Sequence, residues 1–117
     1  GLALGAKTHK MPFGHHGGNH PVQDLRDKSV LISTQNHGFC ISDKNLPNDI
    51  IVTHRSLFDG SIQGIQNKSQ QIMGLQGHPE AGPGPCDMKK YFQEFFDLMI
   101  HLSMLKKQAI VGKTVYA

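Results

Sequence analysis

From residue 88 onward, apolar side chains fall at Met88, Tyr91, Phe92, Phe95, Leu98, Met99, Leu102 and Leu105. This is the 3.6-residue period of an amphipathic helix. Asp87 stands where an N-cap belongs, because its carboxylate can accept from the first free amides. One long helix is therefore expected from there to Lys107, and residues 108–117 carry no clear pattern. Upstream the apolar runs are shorter and β-branched. Ser29–Thr34 reads as a buried strand, and Phe39–Ser42 as its partner across a tight turn at Asn36-His37-Gly38. Asp49–His54 is a further strand after the turn-forming Leu46-Pro47-Asn48. Ser61–Gln66 alternates and suits an edge or half-buried strand, and Ile72–Gln76 is a short apolar run. Thr8–Phe13 is expected as a short strand entering a loop at Gly14–Pro21. Ala81-Gly82-Pro83-Gly84-Pro85 excludes helix and central strand, because its prolines lack donors. Several strands followed by one helix leave a sheet face uncovered, so the chain is expected to be part of a domain.

The 117 residues are at most one small domain, and 38% hydrophobic residues suffice for a core. A formal charge of +3, without a basic block, points to neither nucleic acid nor a membrane surface. No apolar run is long enough for a transmembrane helix, and residues 1–5 do not form a signal peptide. Cys40 and Cys86 cannot make a disulfide framework, and a reducing, cytoplasmic setting is expected.

Eight histidines, seven of them before residue 80, direct attention to imidazole chemistry. In His78-Pro79-Glu80 the i, i+2 spacing puts imidazole and carboxylate on one side of an extended chain. A carboxylate there fixes the tautomer of a general base; the alternative is a solvated loop histidine beside a surface glutamate. His9, His15, His16 and His20 raise the question of zinc, but no cysteine stands at structural-zinc spacing, and hydrogen bonding within a loop is the simpler reading. Asn36-His37-Gly38-Phe39 suits either a hairpin turn or a place where a ligand approaches backbone. Cys40 and Cys86 lack the tight turn at a helix start that activates a thiolate, and read as ordinary thiols.

Longer strings carry a resemblance. Gly5-Ala6-Lys7-Thr8, Phe13–Val22 (Phe-Gly-His-His-Gly-Gly-Asn-His-Pro-Val), Gln35–Phe39, Val52–Gly60 and Gln76–Ala81 followed by Pro83-Gly84-Pro85 occur in order without large gaps. They resemble the glutaminase subunits of carbamoyl phosphate synthetases. Gly-His-Pro-Glu marks class I glutamine amidotransferases generally, and the histidine-glycine and Ser-Leu-Phe-Asp-Gly strings mark this branch. The resemblance implies an α/β fold: the C-terminal portion of a flavodoxin-like amidotransferase domain with a mixed central sheet, incomplete in this chain. Residues 1–107 would be that portion and 108–117 a tail.

It also implies chemistry. In such enzymes a cysteine thiolate attacks the glutamine carboxamide, a histidine moves the proton to ammonia, and a glutamate orients the histidine. Those last roles fall on His78 and Glu80, and the glutamine-holding segment on Asn36, Gly38 and Phe39. The nucleophile's Gly-x-Cys-x-Gly-His-Gln elbow would end a few residues before Gly1, and neither Cys40 nor Cys86 stands in its place. The chain alone is therefore expected to be inactive. Its implied partners are L-glutamine, the N-terminal part of the same subunit, and a large synthetase subunit. That large subunit would hold the ATP and magnesium and make carbamoyl phosphate for arginine and pyrimidine synthesis, while this chain needs no cofactor or metal. Another class I amidotransferase, or a non-catalytic assembly or metal-binding module, is the alternative.

Overall fold

The computed structural model describes residues 1–68, 72–78 and 90–116, the last to side-chain detail as far as residue 106. A short 3-10 turn, Leu2–Leu4, precedes five strands: β1 (Thr8–Asp24), β2 (Val30–Ile41), β3 (Ile50–Ser56), β4 (Ile62–Asn67) and β5 (Ile72–Leu75). Among the described residues one helix follows, α1 (Lys90–Tyr116). The strands form one sheet in the order β2-β1-β3-β4-β5, and each neighbouring pair is antiparallel.

The sheet curls until its two edges meet. Beyond β5, the amide of His78 donates to the carbonyl of Thr34 in β2, the opposite edge (2.8 Å). Leu31 of β2, Tyr91 of α1, and Met73 and Leu75 of β5 pack together along that seam. A second apolar cluster, Ala6, Ile50, Ile62 and Ile65, lies under the turn at Leu2–Leu4. The remaining interior is largely polar: His15, Ser33, Gln35, His54 and Gln63 are all buried.

Three sequence expectations are corrected. Gly14–Pro21 is not a loop but the middle of β1, and Asn36-His37-Gly38 is not a turn but the middle of β2. The glycines serve bulges instead. Between the pairs Lys10↔Phe39 and His15↔His37, β1 carries four residues against one on β2, and a second shift follows Gly17. Gly14 (φ +70°) and Gly17 (φ +125°) supply the left-handed backbone that such irregularities need. Ser61–Gln66 is likewise no edge. β4 lies between β3 and β5 and is buried along nearly its whole length.

The helix is present, and its described part begins at Lys90; Asp87 and Met88 lie outside the described residues. It continues to Tyr116, through residues 108–116 where the sequence shows no period. Among its apolar positions described to side-chain detail, Tyr91 is buried, and Phe92, Phe95, Met99, Leu102 and Leu105 are exposed. A helix of 27 residues is about 40 Å long, in a molecule that measures 59 × 35 × 22 Å.

Candidate functional site

His78 and the segment Asn36–Phe39 are brought to the same edge by strand pairing. The His78 amide is tied to Thr34, two residues before Asn36. Its side chain is exposed and lines a cavity of about 460 Å³ with Leu75, Gln76, Tyr91 and Phe95. Gly38 and Phe39 line an adjoining cavity of about 410 Å³, and Gln76 borders both. Glu80 and Cys86 lie outside the described residues.

Gly38 is the single β2 residue opposite the four-residue bulge Met11–Gly14, so it has no partner in the register. A Cβ built on it would meet nothing within 4 Å. The space in front of Gly38 is thus open, and Phe39 beside it is exposed. Asn36 is exposed, and its Oδ1 accepts from Nδ1 of His16 (2.8 Å).

The histidine cluster is engaged with protein acceptors. His15 is buried, with Nε2 at 2.9 Å from Oδ2 of Asp59 and Nδ1 at 3.0 Å from Oε1 of Gln35. His37 faces the same Gln35 oxygen with Nε2 (2.9 Å) and the Phe39 carbonyl with Nδ1 (2.8 Å). Burial, together with the positive fields of His15, His16 and His20, pushes the His37 pKa down. His20 donates from Nε2 to the His16 carbonyl (3.1 Å) and packs edge-on against Phe58. Among the described residues no three His, Cys, Asp or Glu side chains converge as metal ligands.

Cys40 is buried in β2, with Sγ 3.2 Å from Nε2 of His9. Burial, with the carboxylates of Asp59 and Asp43, pushes its thiol pKa up, which opposes thiolate chemistry there.

Sequence reasoning missed the polar clamp that holds α1 to the sheet. Asp24 of β1 pairs with His54 of β3, and Tyr91 of α1 closes over both. Nε2 of His54 donates to the Tyr91 hydroxyl (2.7 Å), which donates to Oδ2 of Asp24 (3.1 Å); the Thr53 hydroxyl donates to Nδ1 of His54 (2.7 Å). Arg26 grips both oxygens of Asp24 (3.0 and 2.8 Å) and also reaches Glu94 on α1. Burial opposes ionisation of Asp24, yet the Arg26 hydrogen bonds and positive charge hold its carboxyl well below the usual range. Burial and the Asp24 charge push the Tyr91 phenol well up. The signal in sequence is faint, since no local spacing links residues 24, 54 and 91.

The family model described as glutamine amidotransferase class-I matches residues 1–98. The chain belongs to the class-I glutamine amidotransferase family. This amidotransferase segment is 60% identical over 97 residues to the carbamoyl phosphate synthase small chain of Haemophilus ducreyi, covering 83% of this chain and 25% of that one. To the small chain of Thioalkalivibrio sulfidiphilus it is 57% identical over 99 residues, covering 85% and 26%. The chain thus spans about a quarter of the length of these relatives. Its fold is also that of a putative GMP synthase component from Thermoplasma acidophilum: TM-score 0.78, 23% identity, covering 91% of this chain and 54% of that one. Among the described residues no helix of the amidotransferase segment is long and apolar enough to cross a membrane.

Proposed function

We propose that this chain is the C-terminal part, over residues 1–107, of the glutaminase subunit of a cytoplasmic carbamoyl phosphate synthetase. In this reading His78 is the general base, Glu80 orients it, and Asn36, Gly38 and Phe39 hold glutamine. The observation that carries the reading is the His78–Thr34 backbone bond, which fixes residue 78 beside this β2 segment.

A cysteine thiolate from the part of the subunit outside this chain attacks the carboxamide carbon of glutamine. The tetrahedral adduct expels ammonia, which leaves with the proton His78 delivers, and a glutamyl thioester remains. His78 then removes a proton from water, whose oxygen attacks the thioester and releases glutamate and the thiolate. Ammonia passes to a large subunit that uses ATP, magnesium and bicarbonate to make carbamoyl phosphate for arginine and pyrimidine synthesis. The chain itself needs neither metal nor cofactor.

The test is His78→Ala in the full-length subunit, paired with its large partner. Glutamine-dependent carbamoyl phosphate formation falls by about 10²–10⁴-fold, the usual worth of a positioned acid–base group, while free ammonia still supports synthesis. Equal loss with both nitrogen donors overturns the reading, because it shows a lesion in assembly instead of in glutamine chemistry.

A further inference from the structure

We propose that Asp59 and His15 are positioning residues for glutamine binding, acting through Gln35 and His37 on the backbone of the Asn36–Phe39 segment; this rests on the reading that the segment holds glutamine. A continuous hydrogen-bonded chain runs from the β3–β4 turn to the Phe39 carbonyl. Its links are His15 Nε2 donating to Asp59 Oδ2 (2.9 Å), the Gln35 side-chain amide lying between His15 Nδ1 (3.0 Å) and His37 Nε2 (2.9 Å), and His37 Nδ1 donating to the Phe39 carbonyl (2.8 Å), with Gln63 Nε2 also 3.4 Å from His15 Nδ1. The two middle members, His15 and Gln35, are buried, so water does not compete for their bonds.

The end of the chain is rigid. Oδ1 of Asp59 accepts from the Ser61 amide (3.0 Å), and the turn is closed by the Gly60 amide on the Ser56 carbonyl (2.9 Å), with Gly60 at φ +72°. Burial works against the Asp59 charge, but hydrogen bonds from Ser61 and His15 hold its pKa below the usual value. A fixed carboxylate thus sets Nε2 of His15 as a donor, and the Phe39 carbonyl does the same for Nδ1 of His37. The inward nitrogens of both rings then meet one side-chain amide. A ring whose one N–H points outward presents a lone pair to Gln35, so the amide bonds both rings only with its NH₂ group between them and its oxygen toward the Ser33 hydroxyl, 2.8 Å from the amide. The rings are also in contact, edge to face, with centroids 5.1 Å apart.

This ties the segment's shape to a residue that touches no substrate. β2 is interrupted at Gly38 by the bulge and lacks ladder support there, so the His37–Phe39 link takes over the job of holding the backbone. Without Asp59 the buried His15 ring keeps its contacts to Gln35 (3.0 Å) and Gln63 (3.4 Å) but loses the acceptor that fixes its Nε2 proton, so its hold on Gln35, and through His37 on Phe39, weakens.

The experiment compares Asp59→Ala and Asp59→Asn in the full-length subunit with its large partner, measuring glutamine KM and kcat. Asn retains an oxygen that accepts from His15, and Ala does not. The expected result is a KM for glutamine raised about tenfold in Asp59→Ala, the equivalent of one lost buried hydrogen bond, with a smaller loss in kcat and substantial recovery in Asp59→Asn. Equal KM values in all three proteins, or parallel loss of kcat and KM performance unrelieved by Asn, overturn the proposal. Imidazole ¹⁵N–¹H correlation spectra of the unsubstituted protein give a readout independent of variant folding. His15 should carry its proton on Nε2, and a His15 protonated only on Nδ1 overturns the chain of bonds. Failure of the amidotransferase reading shows separately, as an absence of glutamine-dependent activity in the unsubstituted complex, and leaves the spectral test standing.

Discussion

Tyr91 shows how one side chain decides where an element goes. Its hydroxyl accepts from the buried Nε2–H of His54 and donates to Asp24, so Tyr91→Phe removes two buried hydrogen bonds at once and leaves His54 Nε2 with Asp24 Oδ2 at 3.3 Å. The expected cost is about 1–3 kcal/mol, read by urea denaturation. Close approach is needed on the other side of His54, where a Cβ on Gly64 would stand 2.6 Å from Oγ1 of Thr53 and against the imidazole. Gly64→Ala is therefore expected to destabilise, by about 1–3 kcal/mol as overpacking usually does, with a lowered denaturation midpoint as the check. His54 also makes stability depend on pH. Burial lowers its folded pKa below the ordinary 6.5, so below that value the unfolded chain binds the proton more readily. Stability from His54 is thus fully present above about pH 6.5 and is lost as pH falls beneath it; His37, lowered for the same reason, adds in the same direction. Denaturation midpoints should decline as pH is lowered through that value, and His54→Gln should flatten the decline. Residue identity was legible at His78 because Gly-His-Pro-Glu is a local string. The Asp24–His54–Tyr91 clamp was not, because its members are joined only by strand register and by the return of α1.

At the scale of elements, β2 carries the main lesson. Its β-branched start, Val30–Thr34, reads as a strand, but Asn36-His37-Gly38 reads as a turn by every local rule. Chain length opposes that reading only once β1 is seen as a 17-residue partner. The glycines then mark bulges, and the bulge places Gly38 in open space. Gly38→Ala is expected to shift stability by less than about 1 kcal/mol, since nothing lies within 4 Å of the added methyl, yet to raise the glutamine KM in the assembled enzyme by obstructing the open space there. An unchanged KM would mean that glutamine is held elsewhere. The helix teaches the complementary point. Its apolar period was plain in sequence, but the period does not say what covers the apolar positions. Met104→Gln and Leu105→Gln change exposed residues and should leave the chain's stability within about 0.5 kcal/mol.

For the whole molecule, the chain spans about a quarter of its relatives' length, and the proposed reading makes its site part of a larger one. Under the proposed reading, in which the nucleophile comes from outside this chain, we expect no glutamine hydrolysis by the 117 residues alone, measured as glutamate release. Glutamate release that survives in the chain and vanishes in His78→Ala would contradict this. Much that bears on chemistry was set by the sequence itself: strings such as Gln-Gly-His-Pro-Glu and Gln-Asn-His-Gly-Phe are contiguous, and local order is all a linear reading requires. The placement of those strings was decided only in three dimensions. Antiparallel pairing, two bulges and the curl that joins β5 to β2 bring residues 34 and 78 within one hydrogen bond. Each of these contacts spans tens of residues, so their energy lies in long-range pairing and shared burial, which no short window of sequence contains.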